Sequence, residues 1–559
     1  MGNEKWQMGN EKWQIGNEKW QMGNDKWQMG NDKWQMTNML RRSTPPPQTG
    51  QPPMGRMLPP QMAWRGNSAR QNAYAYFPQN LATSGIFVGI LVLTIILFYF
   101  SNNLMPAYLY LIFISELLIF YLGSVHCSSA WSRYSLKNFV WHIFLIGLLL
   151  RIPFAVYHHV ENVNLYGVLY YPSLADVDVY VGLAKQAVDE IIQNSNWAFI
   201  PFFLKYLAFD DIGAPILNTL ILLLTGNANP CVAVLSVNVI LGAITPVFMY
   251  HIARRHFGED VGRMTAIFCM LNPNMIWWCC SMMKETQMVF FACWFLDRMD
   301  AVLMRGKVSV AEVIPVALIG MYVFLYRAAL GILLFMAFFA ALVLMSQRIV
   351  SMGKKILAGV FVIVVLLLGF GQQMAEQAQS LRKMALGDAQ RQNMEWRTRR
   401  AHGNAFAKYA SKTIFAPLIF TIPFPTLTYT HEKQVALMEV SGGNLIKNIL
   451  SFFVILCMFV LLLSGEWRQH VFLIAYLIGY LAILAFSSYA QSGRFHMPAI
   501  PFEMMLAAYM IKIIQQNKRV FSYLKSKRTY MRWYTYWCIA CVVITVFWQW
   551  FKLKGQGII

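Results

Sequence analysis

Beyond residue 80 the chain alternates long apolar runs with short charged ones. Runs of roughly 17–22 residues, the length that carries an α-helix through the hydrocarbon core of a bilayer, fall near 83–101, 105–125, 139–157, 230–252, 261–280, 286–304, 311–327, 329–347, 355–371, 446–464, 470–488, 499–515 and 533–551. The pattern predicts an all-α polytopic membrane protein with about 13 transmembrane helices. Two long stretches interrupt it, at about 158–229 and about 372–445. Each contains an apolar piece too short or too proline-broken to span: residues 215–225 (PILNTLILLLT) and Ile414–Pro425 (IFAPLIFTIPFP). These are expected to lie in the interface or to re-enter from it.

The first 80 residues follow a different rule. Residues 1–35 are five near-identical heptads, MGNEKWQ to MGNDKWQ. A period of seven suggests a coiled coil, but each heptad carries a glycine and lacks the apolar a/d pair that a coiled coil buries. Residues 36–80 are rich in Pro, Gln and Met. Both segments are expected to be a disordered cytoplasmic arm. Residues 81–138 then hold two helices ahead of a core at 139–515, and 516–559 hold a basic loop and a last helix.

Composition agrees with the pattern: 57% of residues are apolar and only 13% charged, against roughly 25% charged in soluble domains. The net charge of +21 would point to nucleic acid in a soluble chain. Here no nucleic-acid partner is expected, because Arg133, Lys137, Arg254, Arg255, Arg305, Lys307, Arg348, Arg468 and the 518–532 cluster fall in short connections. All lie on one side if the N-terminus is cytoplasmic. That arrangement predicts a multi-pass protein of the cytoplasmic (inner) membrane, in contact with its lipids, with both long loops on the outer, periplasmic face. Most of the nine cysteines sit in apolar runs, so no disulfide framework is expected.

Candidate chemistry collects on that outer face. Asp176, Tyr180 and Ala184 are spaced by four, which predicts an interfacial helix with Asp176 in its first turn. An aspartate there caps a helix or serves as a general base, and the spacing does not decide between them. Asp178 is its neighbour and either tunes it or is simply solvated. Lys284 and Glu285 stand where the chain emerges between two apolar runs, and Arg327 interrupts a third. Ionisable residues at such depths are expensive and usually face a cavity or a partner. Arg494 and His496, in Ser492-Gly-Arg-Phe-His-Met-Pro498, open a helix where a phosphate could be held. His158-His159-Val160-Glu161 offers metal-ligand types, but adjacent histidines on a helix point apart and no second cluster supports them, so no metal site is expected. No nucleotide-binding loop is present.

In order, Leu150-Arg151, Asp176-x-x-x-Tyr180-x-x-x-Ala184, Asn238-x-x-x-Gly242, Tyr250 to Gly258, Asn272-Pro273 leading to Lys284-Glu285, Arg327, and Arg494 to Pro501 together resemble the polytopic GT-C glycosyltransferases. They resemble in particular the bacterial relatives of protein O-mannosyltransferases and aminoarabinose transferases, the family 39 type. The resemblance implies inverting transfer of a sugar from a polyprenyl-phosphate donor to a glycan, lipid or protein acceptor. It implies Asp176 as base, Glu285 and Tyr180 as positioning groups, and Arg494, with Arg327, His496 or Lys284, holding the donor phosphate. No cofactor is firmly expected, and a divalent metal is left open. Two alternatives compete: a Wzy-like polysaccharide polymerase or O-antigen ligase, which the arginine-rich stretch Arg391 to His402 would suit, and a lipid-linked sugar flippase or transporter, which would want internal repeats among its helices.

Overall fold

The computed structural model describes residues 77–167, 175–226, 229–305, 310–344, 416–429, 438–487, 490, 492–516 and 527–555, with isolated residues 371, 375 and 379. Among the described residues the chain is all helical, and its one β-bridge pairs Leu104 with Thr428. The helices are α1 (Gln79–Tyr99), α2 (Ala107–Ala130), α3 (Leu136–Tyr166), α4 (Ala175–Asn194), α5 (Phe199–Leu204), α6 (Gly213–Leu224), α7 (Pro230–Phe257), α8 (Glu259–Leu271) and α9 (Pro273–Cys280). They continue with α10 (Lys284–Arg305), α11 (Val310–Phe324), α12 (Ala328–Leu344), α13 (Ser441–Ser464), α14 (Val471–Phe486), α15 (Gly493–His496), α16 (Ile500–Gln516) and α17 (Lys527–Gly555).

Six of these, α1, α2, α3, α7, α13 and α17, are long and apolar enough to cross a membrane. Six such helices among the described residues suggest a membrane protein. Helices α6, α11, α12 and α14 are apolar but shorter, and the expected span at 355–371 lies outside the described residues except for its last position. The run 261–280 is two helices rather than one. Pro273 has no amide hydrogen to continue α8, and the Asn272 side chain caps α9 by accepting from the Met275 amide at 3.2 Å. In contrast α3 outlasts its predicted end at 157 and runs to Tyr166, where Gly167 closes it at φ 66°. Its 31 residues rise about 46 Å, more than the roughly 30 Å core of a bilayer.

Burial separates central from peripheral helices. In the apolar window of α13, 67% of residues are buried inside the protein, against 28% in α3. Large apolar side chains such as Phe87, Phe98, Leu111, Trp141, Leu149 and Phe459 are exposed around the outside, the surface that lipid rather than water would cover.

Two polar layers bracket the bundle. At one end Arg255 of α7 pairs with Asp297 at 2.7 Å and Asp300 at 2.6 Å of α10. Beside it His256 meets Asp300 and His470, and Arg263 of α8 donates to the carbonyls of Trp131 and Tyr134 between α2 and α3. At the other end Gln287 of α10 bonds Asn238 of α7 at 3.0 Å. From Asn238 to Arg255 α7 rises about 25 Å, close to one hydrocarbon thickness. The Phe77 amide meets Ser128, and Ser84 meets Tyr534, at the Arg255 end; the Leu427 amide meets Gln549 at the Gln287 end. The chain thus passes back and forth between two chemically distinct ends.

Irregular backbone at the Gln287 end is satisfied from within the protein. Residues 416–429 form turns and extended chain with few bonds of their own. Asn448 donates to the carbonyls of Thr421 and Pro423, and Lys447 to that of Ile422. Gln549 bonds Leu427 and Pro425, and Ser441 bonds Thr426. Non-helical backbone is tolerated among membrane helices only where side chains of neighbours take up its polar groups.

The two ends are separately testable. With Cys231 changed to Ser, the other described cysteines being buried, Asn194→Cys and Arg468→Cys are expected to react with a membrane-impermeant maleimide from opposite sides of sealed vesicles. Labelling of both from one side would contradict the topology.

Candidate active site

Five structural elements deliver the candidate residues to one place. The first is α4, whose Val177, Tyr180, Val181, Ala184 and Val188 are buried at the spacing of a helix that lays one face on its neighbours. Asp176 occupies its first turn, where a carboxylate is favoured by the helix dipole. Its side chain reaches Arg494 Nη1 at 2.8 Å, so it is an ion-pair partner here. The second is the short segment around α15. Tyr480 and Tyr476 of α14 donate to the carbonyls of Phe495 at 2.7 Å and Pro498 at 3.2 Å, which fixes the turn that carries Arg494.

The third element is the restart of the chain after α9. Met282 takes φ 59°, a left-handed conformation that a side chain adopts only under constraint, and α10 then begins with Lys284 and Glu285. The fourth is the turn between α11 and α12, which carries Tyr326 and Arg327. The fifth is the N-terminus of α6. The Gly213 amide donates to the Leu325 carbonyl at 2.8 Å, and Tyr322 donates to the Gly213 carbonyl at 2.8 Å. A Cβ at Gly213 would come within 2.8 Å of the Tyr326 ring, so this approach requires glycine.

The result is a compact charge array. Arg494 lies between Asp176 and Glu285, whose Oε1 is 3.9 Å from the guanidinium Nε. Arg327 and Arg494 both stand over the Phe495 ring, at 4.2 and 4.8 Å. Lys284 pairs with Asp211, bonds the Tyr326 carbonyl at 3.2 Å and lies 5.5 Å from the centre of the Tyr180 ring. Tyr180 donates to Asp211 at 3.2 Å. Burial, and then the carboxylates of Asp176 and Glu285, push the Tyr180 hydroxyl above its ordinary pKa, so it remains a proton donor. Glu285 is fully buried, yet neither carboxylate oxygen has a hydrogen-bond donor. Such a group costs about 1–3 kcal/mol or more.

Of the residues singled out by sequence, Asp176, Tyr180, Lys284, Glu285, Arg327 and Arg494 come together. Two do not. Asp178 is exposed and, two positions from Asp176, faces another side of α4, towards Cys231. His496 is buried behind the array, bonded to the Ala490 carbonyl at 2.7 Å and beside Lys447 at 3.3 Å. Lys447 in turn pairs with Glu503 at 3.5 Å. The stretch Arg391 to His402 lies outside the described residues.

Comparison with protein-family models, with curated proteins and with solved structures gives no match. The chemistry of the site therefore rests on its own residues.

Sequence reasoning passed over several of them. Asp211 lies in a single 3-10 turn, Phe209–Asp211, in the connection between α5 and α6. Gln287, Asn238, Asn218 and Tyr326 form one network: Gln287 Nε2 donates to Asn218 at 3.1 Å and Asn238 at 3.0 Å, and Tyr326 donates to Gln287 at 3.1 Å. The available signal was amide side chains within apolar runs, which are costly there unless paired. The fold also supplies the partner that His158 and Glu161 lacked. Glu439, from just before α13, brings its carboxylate within 4.8 Å of both.

The amide network is structural and the exposed ion pair much less so. Gln287→Leu strands Asn218 and Asn238 at about 1–3 kcal/mol each, while Tyr326 keeps Tyr322, so it is expected to lower stability by at least about 2 kcal/mol in detergent unfolding. Asp176→Asn, whose side chain is 44% exposed, should stay within about 1 kcal/mol of the parent. Equal losses in the two variants would show the roles misassigned.

Proposed function

We propose that this chain is a membrane glycosyltransferase of the GT-C kind, using a sugar carried on a polyprenyl phosphate and passing it to an acceptor hydroxyl with inversion. The observation that carries the reading is Arg494, held between partly exposed Asp176 and buried, donor-free Glu285, with Arg327 and Lys284 alongside. A fixed guanidinium binds phosphate as readily as carboxylate. In this reading the donor phosphate displaces Asp176 from Arg494. One contact then does two things: it anchors the leaving group and releases the carboxylate as a base.

Asp176 takes the proton of the acceptor hydroxyl, the oxygen forms its bond to the anomeric carbon, and the bond to the lipid phosphate breaks. The charge that develops on the leaving phosphate meets Arg494, Arg327 and Lys284, cations fixed before the reaction starts. Glu285 accepts hydrogen bonds from hydroxyls of the sugar or acceptor, and the protonated Tyr180 donates. Burial of His496 removes it from the phosphate-binding set. The excess of Arg and Lys at the opposite end of the bundle supports placing this end outside, by the positive-inside tendency. That makes the protein an inner-membrane enzyme acting at the periplasmic face.

The experiment supplies polyprenyl-phosphate sugars to membranes or proteoliposomes and follows consumption of the donor lipid. Asp176→Asn is expected to lose roughly 10²–10⁴-fold in turnover while remaining folded. Arg494→Ala should impair donor saturation as well. Parental consumption by Asp176→Asn would sink the base assignment, and an unaltered Arg494→Ala would sink the phosphate assignment. Donor that crosses the bilayer unconsumed would favour a flippase.

A further inference from the structure

A second buried cluster lies near the Gln287 end of the bundle and takes no part in the proposed transfer. His158 and Glu161 share one face of α3, one turn apart, and Glu439 approaches them from the segment leading into α13. One ligand atom from each falls within 4.8 Å of the others. His158 and Glu439 are 2% and 1% exposed, and His158 Nε2 and Glu439 Oε1 have no hydrogen-bond partner. Among the described residues no lysine or arginine pairs with any of the three. Glu116, which accepts from the Gly442 amide at 2.7 Å, adds a further carboxylate nearby. Two facing carboxylates need a shared proton or a shared cation. A shared proton, however, leaves the buried His158 Nε2, 3.8 Å from Glu439 Oε2, without a hydrogen bond.

We infer that His158, Glu161 and Glu439 form a binding site for one divalent transition-metal ion of the zinc type. Imidazole and carboxylate are its usual non-sulfur ligands, at about 2.0–2.2 Å. Ligand atoms at that radius around a tetrahedral ion stand roughly 3.4 Å apart. His158 Nε2 already stands 3.8 Å from the Glu439 carboxylate, and all three ligand atoms lie within 4.8 Å of one another. The outer contacts suit this role. Trp277 donates to Glu439 Oε2 at 2.8 Å and so fixes the orientation of the carboxylate. Asn162 lies 3.1 Å from His158 Nδ1; with its amide turned, a choice that hydrogen positions alone decide, it accepts from Nδ1–H and leaves the Nε2 lone pair free. The ion ties the C-terminal end of α3 to the start of α13 and leaves a fourth position for water. The inference stands apart from the transferase reading and survives its failure.

The test uses the full chain in detergent, purified without a histidine tag, stripped with chelator and then equilibrated with Zn²⁺ alone or Co²⁺ alone. Expected are one equivalent of bound metal by elemental analysis, a rise in Tm on adding Zn²⁺, and visible Co²⁺ absorption of a nitrogen–oxygen site. Glu161→Gln and the double variant His158→Gln/Glu161→Gln should lose the bound metal and the Tm response. Asn162→Leu should keep the site but weaken it about 10–100-fold. No stoichiometric metal in the parent, or metal retained in the folded double variant, would overturn the assignment and leave a proton-sharing acidic pair. Should the double variant fail to fold, a featureless Co²⁺-loaded parent would overturn it equally.

Discussion

A polar group buried among apolar helices has no water to fall back on, so it must find its partner in the chain. That constraint organises this molecule at both ends. At one, Arg255 and His256 meet Asp297 and Asp300 across α7 and α10. At the other, Gln287 gathers Asn218, Asn238 and Tyr326, and the side chains of Lys447, Asn448 and Gln549 take up the carbonyls of 416–429. Hydrophobic packing brings the helices together but does little to fix their depth or register. These pairings do both, because sliding α10 against α7 by one turn would break both layers at once.

The charge array departs from that rule in an informative way. Glu285 is buried without a donor, while Asp176, its counterpart on Arg494, is partly open. A site built for stability alone would pair the buried carboxylate well and leave the exposed one to water. Here the stronger geometry, 2.8 Å, goes to the exposed partner and the weaker, 3.9 Å, to the buried one. The contact easiest to exchange with a ligand is therefore the closest, and the contact hardest to lose holds Arg494 in place. That asymmetry would suit the proposed exchange of Asp176 for a donor phosphate without Arg494 swinging away.

Much of this was legible from the chain. Periodicity identified α4 and put Asp176 in its first turn, since the i, i+4 spacing of Asp176, Tyr180 and Ala184 has few other outcomes. Charges lodged between apolar runs pointed to Lys284, Glu285, Arg327 and Arg494, because burial makes each costly unless used. Hydropathy merged α8 and α9 into one run, since a 17-residue apolar window does not reveal a break such as Asn272–Pro273, where a cap and a missing amide end one helix and start another. It also could not separate Arg494 from His496. Two residues apart on one turn, they face opposite ways, and only the neighbours decide which is exposed. Glu439 was beyond reach for a different reason. Its partners are more than 270 positions earlier, and nothing local in its own segment marks it.

The two clusters are linked through the start of α13. Gly442 and Gly443 have no Cβ, and one at either position would collide with Glu116 or Asn274. This lets α13 begin hard against α2 and α9. The close approach sets Glu439 beside Trp277 and His158, and it lets Asn444 bond Asn274 at 3.0 Å. Asn444 Oδ1 is also within 4.0 Å of where a Cβ on Gly493 would stand, next to Arg494. The segment carrying Arg494 thus passes close to the first turn of α13, while the tyrosines of α14 hold its carbonyls. A change that lifts α13 from α9 would disturb the acidic cluster and the charge array together, although no side chain is common to both.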